Sequence, residues 1–236
     1  MPIDPLAVLE RETAAFARVL DDGDLHVPVA GCPGWTLADL GRHLGGIHRW
    51  ARAAVLVGES AEPAGPADDA AVPGWYRAGA AALLDTLRAA DPAARCWTFA
   101  PPADTVAFWA RRQAHETTLH RWDAEHARGR DPVLDADVAL DGLTEVVEVF
   151  TPRQVRLGRL AATPDVVHLV ARGEPGVRVL PVGSGDRAGS PVGSVAGSPT
   201  TLLLLLWRRV DLDSPRLTVT GDRAAVRSCL DRPLTP

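Results

Sequence analysis

The chain has no lysine; all 25 of its basic residues are arginine, and against 30 acidic side chains they leave a formal net charge of -5. With no basic cluster anywhere, that balance excludes a general nucleic-acid binder. Cysteine is scarce. Cys32, Cys96 and Cys229 are scattered without CxxC spacing, which excludes a disulfide framework and a thiolate zinc finger. Long apolar runs are missing as well, and the one near the C-terminus, Leu202 to Trp207, is far too short to cross a bilayer. The N-terminus lacks a basic start followed by an apolar core, so no secretory leader and no membrane partner are expected and the cytoplasm is the default location. No internal repeat and no GxGxxG fingerprint occurs, and Gly183-Ser184-Gly185 reads as a turn.

What is present fits a globular chain. Its 236 residues are 46% hydrophobic and 23% charged, enough for two modest domains or one large one. Pro5 to Leu20 predicts a first helix, capped by Asp4, with Leu6, Leu9, Phe16, Val19 and Leu20 as its broken apolar stripe. Val27 to Trp35, with Pro28 and Pro33, reads as an ordered connection. Its Cys32 has no adjacent basic group to lower its pKa and reads as a packed thiol rather than a nucleophile. Thr36 can cap a second helix, with Asp39 in the capping-box position and Leu37, Leu40, Leu44, Ile47, Ala51 and Val55 as the core stripe. His43 lies on the flank of that stripe, with Asp39 placed to hold its second ring nitrogen. His48, beside Arg49 and Arg52, reads as peripheral. Gly58 to Pro73 is expected as a loop, Trp75 to Ala90 as a third helix, and a fourth starts at Asp104 or Thr105 and ends near Gly129. Residues 1–130 thus predict an antiparallel four-helix bundle.

From residue 131 to 236 the pattern predicts a small α+β domain, which makes the whole chain α+β. Ala136 to Phe150 reads as one helix, with strand-like sequence after Pro152. Val166 to Val170 and Val177 to Val182 flank Gly173-Glu174-Pro175-Gly176 as a hairpin, with the His168 ring turned to solvent. Gly183 to Ser198 holds a loop and one short strand. Thr200 or Thr201 caps a helix running through Arg209, followed by a strand at Arg216 to Thr220 and a helix at Asp222 to Leu230.

The chain is organised around Arg111 to Asp123, a stretch without proline or glycine in the fourth helix. Glu116 and His120 are four residues apart, about 40° apart round a helix axis, and Asp123 returns to the same face. Trp109 and Gln113 extend that stripe backwards, and His115 lies one residue off it, at the surface or in support. A carboxylate and an imidazole stacked this way can share a divalent ion, and burying them without partners would be costly. The face is therefore either solvated or lines a polar site. His43 on the second helix would supply the third ligand inside an up-down bundle, and two histidines with one carboxylate leave a coordination position open.

Three motifs carry a resemblance. Cys32-Pro33-Gly34-Trp35-Thr36, His43-Leu44-Gly45, and Glu116 through Glu125 (Glu-Thr-Thr-Leu-His-Arg-Trp-Asp-Ala-Glu) resemble the mycothiol-dependent maleylpyruvate isomerase family, a branch of the DinB-like metal-binding bundles. Leu202 to Arg209 and Val219-Thr220-Gly221-Asp222 resemble its C-terminal domain. The resemblance implies a divalent metal, most often Zn2+, on His43, Glu116 and His120. It also implies an arginine of the C-terminal apolar helix near the site. Arg209 is the choice and Arg208 the competitor, because Arg208 stands where the family usually has glycine.

The expected activity is that of a metal-dependent enzyme using mycothiol or a similar small thiol to isomerise, or transfer sulfur to, a small electrophilic substrate. Arg209 would pair with a substrate carboxylate. Asp123 would orient ligands or relay a proton, or else pair with Arg111, Arg112 or Arg121. Trp35, Trp109 and Trp122 either wall the pocket or pack the core. Two other readings stay open: a non-haem Fe(II) enzyme on the same ligands, and a non-catalytic metal- or ligand-binding regulator on the same fold. Substrate and oligomeric state are not encoded legibly.

Overall fold

The structure is a computed structural model describing residues 3–59, 61–173, 176–183 and 191–236. It divides into two compact units, Ile3–Val133 and Leu134–Pro236. The first unit contains α1 (Pro5–Asp21), α2 (Leu37–Leu56), α3 (Val72–Ala89) and α4 (Val106–Ala127). Their starts follow from local chemistry. Asp4 accepts the backbone N–H groups of Leu6 and Ala7, and Pro5 occupies the first turn, where no N–H is needed. Thr36 and Asp39 form the expected reciprocal capping box. Pro73, expected in a loop, lies in the first turn of α3, which follows a 3-10 turn at Asp69–Ala71. The loop signal there had hidden a helix start.

Side-chain pairs give the helix directions. Glu12 meets Arg121 and the Val19 carbonyl meets Arg128, so α1 and α4 run the same way. Arg88 meets Glu10 and Arg77 meets Asp21, so α3 runs against α1. Arg49 reaches the Trp75 carbonyl and Arg52 the Thr86 hydroxyl, so α2 and α3 are parallel. His43 meets Glu116 while Trp50 meets Trp109, so α2 runs against α4. The order is therefore up, down, down, up, with α1 and α4 running one way and α2 and α3 the other. The connection 57–71 returns the chain to the end of the bundle at which α2 began. Gly45 allows α2 to lie close to α3, because a Cβ there would fall 2.3 Å from the Trp75 ring.

Phe16, Val19, Leu20, Leu37, Leu40, Leu44, Val72 and Tyr76 form one apolar core. Trp50, Trp97, Phe99, Phe108 and Trp109 form an aromatic cluster in which Trp109 Nε1 donates to the Trp97 carbonyl at 2.8 Å. Helix α4 is unusual in burying polar residues on several faces: Arg112, Gln113, His115, Thr117, Thr118, His120, Arg121 and Asp123. His115, expected at the surface or in a supporting place, is 6% exposed.

His48 overturns its reading as peripheral. It is fully buried, with Nε2 3.0 Å from the Thr117 hydroxyl and its ring 5.4 Å from Tyr76. The inward face of α2 passes from Leu44 to His48 to Ala51, while Ile47 and Val55 are only half-buried. Burial disfavours the imidazolium and pushes the His48 pKa down from 6.5 to about 3. Between those values the unfolded chain binds a proton that the folded chain refuses, so stability falls as pH falls through this window, by at most about 1.4 kcal/mol per unit. His48→Gln is expected to flatten that dependence. Denaturant unfolding from pH 6.5 downwards checks this, and identical slopes for both proteins would refute it.

In the second unit α5 (Ala136–Glu145) passes through a π-helical turn at Val146–Phe150 into α6 (Thr151–Arg156). The helical run thus continues past Pro152, which sits in the first turn of α6, and the sequence after that proline is not yet strand. The strands are β1 (Val167–Gly173), β2 (Gly176–Val182), β3 (Gly193–Gly197) and β4 (Thr218–Gly221), in the order β2-β1-β3-β4. β1 and β2 form the expected antiparallel hairpin, with Val167 opposite Val182 and Gly173 opposite Gly176. β1 and β3 are parallel, and β3 and β4 antiparallel. Residues 174, 175 and 184–190, half of the expected turn and part of the expected loop segment, lie outside the described residues. Val167, Leu169 and Ala171 are buried, while His168, on the opposite face, is half-buried.

Helix α7 (Pro199–Leu206) corrects two expectations. Ser198 caps it rather than Thr200 or Thr201, and it stops before Arg209. Arg208 follows with φ 62°, a left-handed conformation that costs a side chain roughly 1–2 kcal/mol and that glycine adopts freely. Its guanidinium donates to the carbonyls of Asp231 and Arg232, just past α8 (Arg223–Leu230). Arg209 Nη1 donates to the Trp207 carbonyl at 2.7 Å. No helix of the described residues is long and apolar enough to cross a membrane.

Candidate metal centre

The polar stripe of α4 faces α2 within the first unit. His43 Nε2 lies 3.3 Å and His120 Nε2 3.2 Å from the same oxygen, Glu116 Oε1. The two imidazole rings stand edge-on, with centroids 5.2 Å apart. One ligand atom from each of the three residues falls within 4.8 Å of the others. The other Glu116 oxygen is held by Arg112, one turn earlier on α4. Burial alone would raise the Glu116 pKa, but the Arg112 guanidinium and hydrogen bonds from His120 and His43 overcome it and hold the carboxyl well below its ordinary value. Glu116 is therefore an anion in a nearly dry place.

Asp123 sits behind His120. Its side chain is fully excluded from solvent, and Oδ2 lies 3.0 Å from His120 Nδ1. Nδ1–H is donated to Asp123 and Nε2–H to Glu116 Oε1; a cation that displaced the Nε2 proton would find the tautomer that ligation needs, with Nδ1–H still held by Asp123. Burial by itself would depress the His120 pKa, yet hydrogen bonding to Asp123, Cys32 and Glu116 raises it well above 6.5. Of the alternative salt-bridge partners, Arg112 is on Glu116, while Arg121 is on Glu12 and Glu125. Two imidazole nitrogens and an ionised carboxylate converging on one point, each fixed from behind or beside, fit a divalent cation by donor chemistry and by spacing.

Asp39 does not hold His43. Its carboxylate is occupied by the Thr36 N–H at 2.9 Å, the Thr36 hydroxyl at 2.7 Å and Arg42 at 3.3 Å. Those bonds, the Thr36 N–H first, keep its pKa low. His43 Nδ1 instead faces Glu62 Oε1, at 3.9 Å. Sequence reading missed Glu62 because it lies in the Pro- and Ala-rich connection, with no periodicity to place it. Gly46 makes room for it, since a Cβ there would fall 2.5 Å from Glu62 Oε1. Burial raises the Glu62 pKa.

Trp35, Asp39, Arg42, His43, Glu62 and residues 63–65 line an open cleft of about 530 Å³. Of the three tryptophans considered, only Trp35 borders this cleft, its ring 5.0 Å from that of His43. Trp109 is fully buried in the aromatic cluster, and Trp122 is buried and stacked on His126.

A four-helix bundle with an acid-and-imidazole centre, followed by a four-stranded α+β unit, defines a recognisable class. The chain belongs to the mycothiol maleylpyruvate isomerase family: the mycothiol maleylpyruvate isomerase N-terminal domain matches residues 6–125, and the MDMPI C-terminal domain matches residues 137–228. Two solved structures share the fold. One is a crystal structure of the mycothiol-dependent maleylpyruvate isomerase, with 14% identity and TM-score 0.62, covering 92% of this chain and 91% of that one. The other, a histidine-to-alanine mutant, has 13% identity with the same TM-score and coverage. No curated protein matches the sequence.

Proposed function

We propose that this protein is an enzyme that holds a divalent metal, Zn2+ first among the candidates, on His43, Glu116 and His120. In this reading it uses mycothiol or a related small thiol to isomerise, or transfer sulfur to, a small electrophilic substrate. The observation that carries the reading is the convergence of both Nε2 atoms on Glu116 Oε1. A divalent cation in such a place lowers the pKa of a thiol and so favours the nucleophilic thiolate at neutral pH.

The residues of this chain divide the remaining work. Arg112 keeps Glu116 ionised, and Asp123 holds the His120 Nδ1–H, so that Nε2 is the nitrogen that would ligate. The cleft bordered by Trp35 and Glu62 gives a ligand access to His43. Arg209 is assigned to a substrate carboxylate, which its guanidinium can grip with two parallel hydrogen bonds. In isomerisation, the thiolate sulfur bonds to one carbon of an electron-poor double bond and the electron pair moves to the electron-withdrawing group. Rotation about the resulting single bond, then return of the pair and loss of the thiolate, gives the other geometric isomer. In sulfur transfer, the adduct takes up a proton and is kept.

The test is turnover of maleylpyruvate by zinc-supplemented protein with and without mycothiol. Product formed only when both are present supports the reading. A turnover that ignores the thiol would remove thiol chemistry from it. Arg209→Met is expected to raise KM for a carboxylate substrate more than it lowers kcat.

A further inference from the structure

The connection 27–36 is closed by its own backbone. Val29 N donates to the Trp35 carbonyl at 2.9 Å, Cys32 N to the Val29 carbonyl at 3.0 Å, Trp35 N to the Cys32 carbonyl at 3.0 Å, and Leu37 N to the Val27 carbonyl at 3.0 Å. Pro28 and Thr36 form an isolated bridge. Gly34, at φ 85°, makes the left-handed corner that a side chain would resist. Two side chains leave this turn towards the candidate centre. Trp35 packs on the His43 ring, and Cys32 Sγ donates to Asp123 Oδ2 at 3.8 Å. Asp123 in turn accepts from His120 Nδ1, and Cys32, His120 and Asp123 form a compact cluster on the far side of the His120 ring from Glu116.

We infer that Cys32 is a positioning residue for the proposed metal site, acting on His120 through Asp123 and by its own contact with the imidazole; the inference rests on the metal reading above. A donor anchored on a rigid turn restricts the rotation of the carboxylate and so helps fix the oxygen that receives Nδ1–H. The turn thus transmits its rigidity to Nε2. Cys32 is neither ligand nor nucleophile in this assignment.

Two measurements test it. In the infrared spectrum of the metal-free full chain, the S–H band that disappears in Cys32→Ala is expected below the free-thiol position, and to return to that position in Asp123→Ala. An unshifted band would overturn the hydrogen bond. In competition with a chromophoric chelator, Cys32→Ala is expected to weaken zinc binding by about tenfold, the lower end of the range for outer partners of a metal site. In an Asp123→Ala background the same change is expected to cost clearly less than in wild type, because the part of its path that runs through Asp123 is already cut. Additive losses, or no loss in the single variant, would overturn the positioning role. If Asp123→Ala does not fold, Cys32→Ser decides, since it keeps a donor and is expected to recover most of the affinity that alanine loses. Failure of Cys32→Ser to do so would refute the assignment. Should wild type bind no zinc at all, the metal reading and the positioning role fall together, while the infrared band still decides whether Cys32 holds Asp123.

Discussion

Arg121→Ala is expected to destabilise the bundle by about 3–5 kcal/mol, the usual loss when one partner of a buried ion pair is removed. Arg121 is 7% exposed and Glu12 is 3% exposed. Arg121 Nε donates to Glu12 Oε2 at 2.7 Å, Nη1 to Glu125 at 3.0 Å and Nη2 to the Val133 carbonyl at 3.2 Å. The arginine therefore joins α1 to α4 and ties down the chain just beyond α4. Without it, the Glu12 carboxylate stays buried beside the Arg11 guanidinium, itself half-exposed, at 2.9 Å. Replacing both partners, as in Glu12→Leu with Arg121→Met, is expected to recover much of the loss, because no buried charge is left behind. Denaturant unfolding measures both. A loss under about 1 kcal/mol for Arg121→Ala would place this pair with ordinary surface ion pairs.

Glu116→Gln is expected to weaken zinc binding by more than the roughly 10–100-fold typical of an outer-shell loss, because it removes a ligand's charge while keeping its shape. Glu116 Oε1 is the atom on which both imidazoles converge, and Arg112 holds the other oxygen. The amide can still accept from Arg112, so the variant separates charge from packing. His43→Ala is expected to have an effect of the same order, and its position on α2 tests whether both helices contribute. Chelator competition on variants with native circular dichroism gives the comparison. Unchanged affinity in Glu116→Gln would remove that residue from the ligand set.

The fold was legible where local chemistry and periodicity agreed. Asp4, Thr36 with Asp39, and the valine runs round Gly173 and Gly176 each placed an element correctly. Legibility failed where one residue type serves two purposes. Pro73 and Pro152 read as breakers, yet each occupies a first helical turn where a missing N–H is harmless. The end of α7 was misplaced because Arg208 adopts a conformation normally left to glycine. For the site, helical spacing alone put Glu116, His120 and Asp123 on one face, and the structure brings them to His43. His48 was misjudged because its charged neighbours, Arg49 and Arg52, suggested solvent, whereas the inward face of α2 runs through it. Glu62 could not be read at all, since only the return path of residues 57–71 brings it to His43.

The central claim is most directly tested by the metal content of protein purified without a chelator or a histidine tag, for wild type and His120→Ala. The account predicts about one zinc per wild-type chain and loss of that zinc in the variant. Iron in its place would move the chemistry to oxygen. No bound metal, and no uptake on adding zinc, would contradict the account and leave a binding module on this fold.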